Sequence, residues 1–301
     1  GACGGGDEDK PSGAKLATPR CTPAGVASAT TSIEPKWSAG DTRSITISKT
    51  REESGEEPSE SSATARLRVL SAGRDGSRLE WTSTDLVLPE DQVPGDARER
   101  LKDVAKDFKV LYRTDSSGAY ERKLNVPEIR QRLTQVLDLL AEDPVAADAV
   151  QRTRSIILSD AFIQTSAVKE ISVLHSAYGL KLREAKPQPV TQRIANPFGG
   201  EALTARGTVE LLDARDSAAC AIVELDAKPS RAALSKSLAD TFGDQASEAP
   251  TAARRAGLSV ENTSRFTYDP GTGWIVRGDF IQTVTISGKT RSDITVITTR
   301  G

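Results

Sequence analysis

The sequence predicts an α+β fold: a curved antiparallel β-sheet, open as a half-barrel, with helices packed on its concave face. Three observations carry the prediction. Apolar and polar residues alternate with period two both before and after the middle of the chain. Helical periodicity fills the stretch between, roughly residues 125–179. No repeat of fixed length runs through the chain, which argues against solenoids and propellers. The order strands, helices, strands suits helices segregated on one side of an antiparallel sheet. Strands apolar on one face only must cover that face, and long strands of this kind curl around what covers them.

Residues 1–35 lack periodicity and are rich in Gly, Pro, Ala, Thr and Ser. They are expected to form a flexible tether, with a single domain over 36–301 that begins near Trp37. Ile45 and Ile47 alternate with Ser44, Thr46 and Ser48. Ala65, Leu67 and Val69 alternate with Thr64, Arg66 and Arg68, and Leu79 and Trp81 with Glu80 and Thr82. Each set is a half-buried strand. A longer acidic loop, Glu52 to Glu60, separates the first pair, and Arg74-Asp75-Gly76-Ser77 is a tight-turn signal. Leu101, Val104 and Phe108 share a short helix around 96–107. Two strands follow, Lys109–Thr114 and Ala119–Leu124.

Pro127 sits where a helix favours proline, and Ile129, Leu133, Val136, Leu137 and Leu140 form an amphipathic stripe. Pro144 opens a further helical stretch whose apolar pattern continues to Tyr178-Gly179. Strands return at Val190–Ala195, Ala202–Asp213 and Ala218–Ala227, the last two joined by a turn at 213–217. A helix over Ser230–Phe242 interrupts them. Phe266 and Tyr268 lead into the hairpin turn Asp269-Pro270-Gly271-Thr272-Gly273. Trp274, Val276, Gly278, Phe280, Gln282, Val284 and Ile286 then alternate with polar residues. Ser287-Gly288-Lys289 turns the chain into a last strand marked by Ile294, Val296 and Thr298.

Composition narrows the functional classes. A chain of 301 residues buries roughly 75% of its unfolded surface, so neither metals nor many disulfides are needed to fold it. With 40 basic and 42 acidic residues the net charge is −2. Nucleic acid is therefore not an expected partner, since phosphate binding needs a basic field. No apolar run reaches the length of a transmembrane helix. A charged leader with an apolar core is absent and so is Met, which fits a mature or truncated chain.

Cys3 follows Gly1-Ala2 and precedes Gly4-Gly5-Gly6-Asp7-Glu8-Asp9. A cysteine behind small residues and ahead of a flexible polar tether resembles the processed end of a bacterial lipoprotein. The resemblance implies lipidation at Cys3, an extracytoplasmic location and anchoring to the cell membrane. With Cys3 acylated, Cys21 and Cys220 remain, an even number in an oxidising compartment. They are expected either to pair as a disulfide or to stay as two small unpaired residues. Tether, long antiparallel strands and helices in the concavity together resemble the LolA/LppX-like half-barrel lipoproteins. That likeness, over about 37–301, implies binding of a lipid or another hydrophobic ligand.

The strings that could carry chemistry are few. His175 is the only histidine, so no common zinc site is expected; within a helical apolar pattern it reads as a buried helix residue. No catalytic set and no cofactor is implied. Ser166-Ala167-Val168-Lys169 matches the Ser-x-x-Lys motif of penicillin-binding enzymes, and helical spacing would bring the amine to the hydroxyl. The partner motifs fail, however: there is no Ser-Asp-Asn, and Lys289-Thr290-Arg291 has Arg in place of Gly. The acidic stretch Glu52–Glu60 lacks calcium-loop spacing. Gly271-Thr272-Gly273 is a turn rather than a phosphate loop, because no helix follows. Asn262-Thr263-Ser264 is a glycosylation sequon by pattern alone.

Trp37, Trp81, Trp274, Phe280 and Phe162 are the candidates to line a ligand cavity, the alternative being that they fill core. The leading expectation is an anchored, non-enzymatic envelope lipoprotein that binds a hydrophobic ligand or an envelope protein partner. A serine acyl-enzyme built on Ser166 and Lys169 is the second. A structural or sensory surface module is the third.

Overall fold

The computed structural model describes residues 30–87, 95–183, 186–197, 201–214, 221–242 and 257–301. Cys3, Cys21, Cys220 and the first 29 residues lie outside the described residues, as does most of the turn expected at 213–217.

Thirteen strands are described. β1 (Thr30–Ser32) and β7 (Lys181–Arg183) pair with each other. The other eleven form one antiparallel sheet. On one side lie β2 (Thr42–Glu53), β3 (Ser59–Gly73), β4 (Gly76–Val87), β5 (Lys109–Thr114) and β6 (Tyr120–Lys123). On the other lie β8 (Gln188–Ile194), β9 (Leu203–Ala214), β10 (Ala221–Pro229), β11 (Ser259–Asp269), β12 (Trp274–Ile286) and β13 (Lys289–Arg300). The order β6-β5-β4-β3-β2-β13-β12-β11-β10-β9-β8 leaves two free ends, so the sheet is curved and unclosed. β2 and β13 meet at its centre and join the two ends of the folded chain.

The period-two signal translates directly into burial. Ile45, Ile47, Leu67, Val69, Leu79, Trp81 and Tyr112 are buried, while Thr46, Ser48, Arg66 and Arg68 between them are exposed. Each such aliphatic or aromatic side chain contributes about 1.5–3 kcal/mol through removal from water.

Helices cover the inner face: α2 (Val126–Ala141), α3 (Pro144–Ile157), α4 (Asp160–Thr165) and α5 (Lys169–Leu174), flanked by α1 (Gly95–Ala105) and α6 (Arg231–Phe242). α2 carries Pro127 in its first turn, and Asn125 just ahead of the helix fastens it to β5. Its Oδ1 accepts from Leu111 N at 2.9 Å and its Nδ2 donates to Lys109 O at 3.0 Å. Gln164 of α4 clamps the edge strand β6: it accepts from Lys123 N at 2.8 Å and donates to Lys123 O at 3.1 Å. Buried Lys123 donates its ammonium to Gln164 O at 2.9 Å.

Three features differ from the sequence reading. Residues 30–35, expected to lie outside the domain, belong to the fold. β1 lies in the fold, and Ile33 is fully buried, its N–H donating to Leu180 O and its carbonyl accepting from Gly179 N. A lone isoleucine among Ser, Glu and Pro carries no period, so only the partner strand reveals it. The stretch 144–179 is three helices rather than one continuous pattern. Ser159 caps α4 by accepting from Phe162 N, and Val168, at φ +51°, turns the chain before α5. A β-branched residue in that region is strained, and tertiary packing has to hold it there.

The last two strands differ in phase. In β12 the pairing passes from Arg277–Thr267 to Ile275–Tyr268 and leaves Val276 unpaired. This bulge puts Ile275, not Val276, into the core. In β13 the core residue is Ile297, opposite Ile47 of β2 and Gly278 of β12. Ile294 and Val296 are half-buried in the opposite phase.

A seam fastens the N-terminal segment to the β11–β12 turn. Trp37 Nε1 and Tyr178 Oη both donate to Gly273 O, at 3.0 and 2.9 Å. Tyr178 Oη also accepts from Ile275 N at 3.1 Å. Gly273 has φ +72°, and a Cβ there would stand 2.3 Å from Lys36 N. Both the turn and the close approach therefore require glycine.

Candidate ligand-binding site

The inner face changes character along its central strands, and the register shows how. One row, Ile47–Ile297–Gly278–Phe266, is apolar. Two residues along, Lys49–Thr295–Phe280–Ser264 is mixed. Two further, Arg51–Asp293–Gln282–Asn262 is polar. Helices fill the apolar end. α5 lies over the mixed and polar rows and leaves a cavity of about 80 Å³ beneath it. Val173 and Phe280 give this cavity an apolar side, while Lys169, Gln282 and Asn262 give it a polar one.

Its charges are organised. Glu170, 5% exposed, pairs with Lys49 at 2.6 Å. Burial pushes the Glu170 carboxyl up, but attraction and hydrogen bonding from Lys49 outweigh it and hold the group below the usual carboxylate range. Asp293 is held by Arg51 at 2.7 Å and Arg291 at 3.2 Å. Lys169 is different: among the described residues no carboxylate lies within ion-pair distance of its ammonium, although it lines the cavity. Burial lowers its pKa, Glu170 and Asp293 resist, and Lys49 and Arg51 lower it further.

The amides are equally specific. Gln282 Nε2 donates to Asn262 Oδ1 and to Ala195 O, both at 3.1 Å, tying β12 to β11 and to the residue after β8. Asn262 Nδ2 is shielded from solvent and has no hydrogen-bond partner. An orphaned buried donor of this kind marks a place where an acceptor fits.

Sequence candidates fall into two groups. Phe280 lines the cavity. Trp37, Trp81 and Trp274 fill core instead. Trp37 stacks on Trp274 with centroids 4.9 Å apart and meets Tyr178 edge-on, and Trp81 is 1% exposed among inner-face residues. The inner face is apolar where these large rings lie, so they are consumed in covering it. Phe162 is half-buried on α4.

Ser166 and Lys169 do not share a helix. Ser166 ends α4, Lys169 begins α5, and left-handed Val168 lies between. The Ser166 hydroxyl meets that of Thr165 at 3.2 Å, and no hydrogen bond joins it to Lys169. His175, 1% exposed, is also committed to structure. Its Nδ1 faces Gly118 O at 2.8 Å, and a carbonyl only accepts, so Nδ1 carries the proton. Nε2 then accepts from Tyr112 Oη at 2.9 Å. Burial lowers its pKa to about 4, against the opposing pull of the Gly118 carbonyl and Asp115.

Sequence reasoning passed over most of the polar end. Lys49 continues the phase of Ile45 and Ile47, and Gln282 that of Gly278 and Phe280. A polar residue in an apolar phase was the available signal. Glu170 and the inward direction of Asn262 carried none, because α5 is too short for its face to be read.

Two wider clefts open elsewhere. One, of about 680 Å³, lies between α3, α4 and α6, with Ser155, Ser159 and Lys236 in its wall. The other, of about 460 Å³, runs between α2 and β4–β5 past Glu80, Glu128 and Arg132. Both expose many polar groups. The large exposed apolar residues Leu70, Val87, Leu212 and Ile286 are spread over four strands. No helix among the described residues is long and apolar enough to cross a membrane.

The geometry defines an α+β protein with an unclosed antiparallel sheet and a small amphipathic cavity on its inner face. No protein-family profile matches the chain, and no curated protein matches it. Among solved structures it is similar to a chain described as "Lipid-protein interactions in lipovitellin". The TM-score is 0.46 with 12% sequence identity, over 88% of this chain and 26% of that one. The present chain thus spans about a quarter of the length of that chain.

Proposed function

We propose that this protein is a membrane-anchored, extracytoplasmic binding protein without catalytic activity, and that it takes a hydrophobic ligand with a polar end at the α5 cavity. The observation that carries this reading is the passage from apolar to polar rows along the inner face, where α5 leaves both kinds of surface exposed to one cavity. A binding site that orients an amphiphile needs that juxtaposition. A space of about 80 Å³ accepts a polar head and the first carbons of a chain. The remainder leaves past Val173 and Ile194.

Cys3 and its Gly-rich acidic tether support the anchored location. The non-catalytic role is supported by the occupation of His175 in buried hydrogen bonds and by the separation of Ser166 from Lys169.

The test is titration of the purified chain with a medium-chain amphiphile, followed by hydrogen exchange. Saturable binding with protection changing over residues 166–176 is expected. Absence of binding by any amphiphile, charged or neutral, would remove the reading. For the anchor, a bacterial host expressing the chain behind a lipoprotein signal peptide should place it in the membrane fraction and incorporate labelled palmitate, and Cys3→Ser should release it. Equal membrane association of the Cys3→Ser variant would refute lipidation.

A further inference from the structure

Two groups that line the α5 cavity, one on the helix and one on the sheet, have unmet needs. Lys169 brings a half-buried ammonium with no ion-pair partner among the described residues, and Asn262 brings a buried amide N–H pair with no acceptor. Of the other charges nearby, Lys49 pairs with Glu170, Arg51 and Arg291 with Asp293, and Arg193 donates to the Ala202 carbonyl at 3.3 Å. Both open groups are donors, so what completes them is an acceptor bearing negative charge.

From this we infer that the α5 cavity recognises a single carboxylate, one oxygen taken by Lys169 and the other by Asn262, with Phe280 and Val173 against the carbon chain. The inference deepens the binding reading above and rests on it. Local pairing selects the class. Lys49, Arg51 and Arg291 each lie within ion-pair distance of Glu170 or Asp293, and Arg193 donates to Ala202 O, so Lys169 is the lining cation that has neither kind of partner among the described residues. One carboxylate meets Lys169 and Asn262 together. A phosphate dianion would set a second negative charge near the Glu170 and Asp293 carboxylates, which costs energy in a partly desolvated site. A cation is disfavoured by the same Lys169. A neutral alcohol would satisfy Asn262 but leave the ammonium unpaired. Shape agrees, because the planar amide of Asn262 is fixed through Gln282 and a fixed donor discriminates better than a mobile one.

Carboxylate chemistry has two sources, the head of a fatty acid or a small free acid, and the experiment separates them. Calorimetric titration of the full chain is made with octanoate, 1-octanol and acetate, on the unmodified protein and on Lys169→Met. Octanoate is expected to bind at least tenfold more tightly than octanol. Lys169→Met should erase that difference, and a circular-dichroism spectrum matching that of the unmodified protein shows the variant to be folded. Asn262→Asp, which sets a negative charge against the ligand, should weaken octanoate by tenfold or more and octanol much less.

Equal binding of octanoate and octanol by the unmodified protein, or equal weakening of both by Lys169→Met, overturns carboxylate recognition and leaves the hydrophobic-ligand reading standing. Binding of acetate through Lys169, with octanoate no tighter than acetate and octanol silent, supports the carboxylate site with a small acid as its source and overturns the hydrophobic reading. Failure of all three ligands overturns both.

Discussion

At the scale of the residue, the buried polar groups set how the protein responds to pH and mutation. His175 has an ordinary pKa near 6.5 when unfolded and about 4 when folded. The folded state therefore resists protonation: the stability is fully present above about pH 6.5 and is lost as pH falls toward 4. Between pH 7.5 and 4.5 the loss from this group is about 2.5 kcal/mol. Urea unfolding at the two pH values should show it, and His175→Gln should flatten that part of the dependence. An unchanged slope in the variant would contradict the assignment.

Gly273 is the second such position. Gly273→Ala should destabilise by about 2 kcal/mol or more, since a Cβ collides with the 34–37 segment at a positive φ. A lowered melting temperature, with earlier proteolysis near Trp37, is the expected result. That Gly273 belongs to a turn is legible from Asp269-Pro270-Gly271. That its carbonyl anchors both Trp37 and Tyr178 is not, because those residues lie 236 and 95 positions away.

Among the elements, α5 matters most and is the least legible. Six residues give less than two turns, so no amphipathic stripe can be read, and its start depends on a valine held in a conformation that local preference disfavours. Ile171 and Leu174 bury it in the core, and the Lys49–Glu170 pair adds a charged tie to the sheet. Removing one partner strands a charge, fully buried in the case of Glu170. Lys49 is 43% exposed in its side chain, which screens the pair, and Lys49→Met should therefore cost about 2 kcal/mol, below the range for fully buried pairs. Lys49→Met combined with Glu170→Gln should recover a good part of that loss, as measured by a double-mutant cycle in urea. Additive losses would show that the pair is not coupled.

β13 teaches a related lesson. Ile294 and Val296 mark a strand correctly, yet the buried phase carries Thr295, Ile297 and Thr299. Apolar residues occupy both phases, so alternation identifies the element but not its face. The face is decided by register against Ile47 and Gly278. The long helical stretch is similar: Pro127 and the Ile129–Leu140 stripe locate α2, whereas the ends of α3 and α4 depend on a serine cap and on Val168, which apolar periodicity passes over.

For the whole molecule, the sheet is held together by pairing between distant parts of the chain. β13 joins β2 to β12, linking the first half to the second. Deletion of residues 289–301 should leave two half-sheets with exposed edges and apolar inner faces, and the product is expected to be insoluble or unfolded by circular dichroism. A soluble, cooperatively melting truncation would refute this. Refolding should also be slow, in the range of milliseconds to seconds or beyond, because most strand contacts close long loops.

The strand and helix order, the one-sided strands and hence an unclosed antiparallel sheet around helices are legible in the amino-acid order. These follow from short-range periodicity and turn chemistry, which are properties of neighbouring residues. That three tryptophans fill core, that Ile33 belongs to the body, and that Lys169, Asn262 and Gln282 meet at one cavity follows from tertiary contacts alone. These last three residues come from α5, β11 and β12. Their meeting depends on register across the sheet and on where a short helix stops covering it, and neither is a local property of the chain.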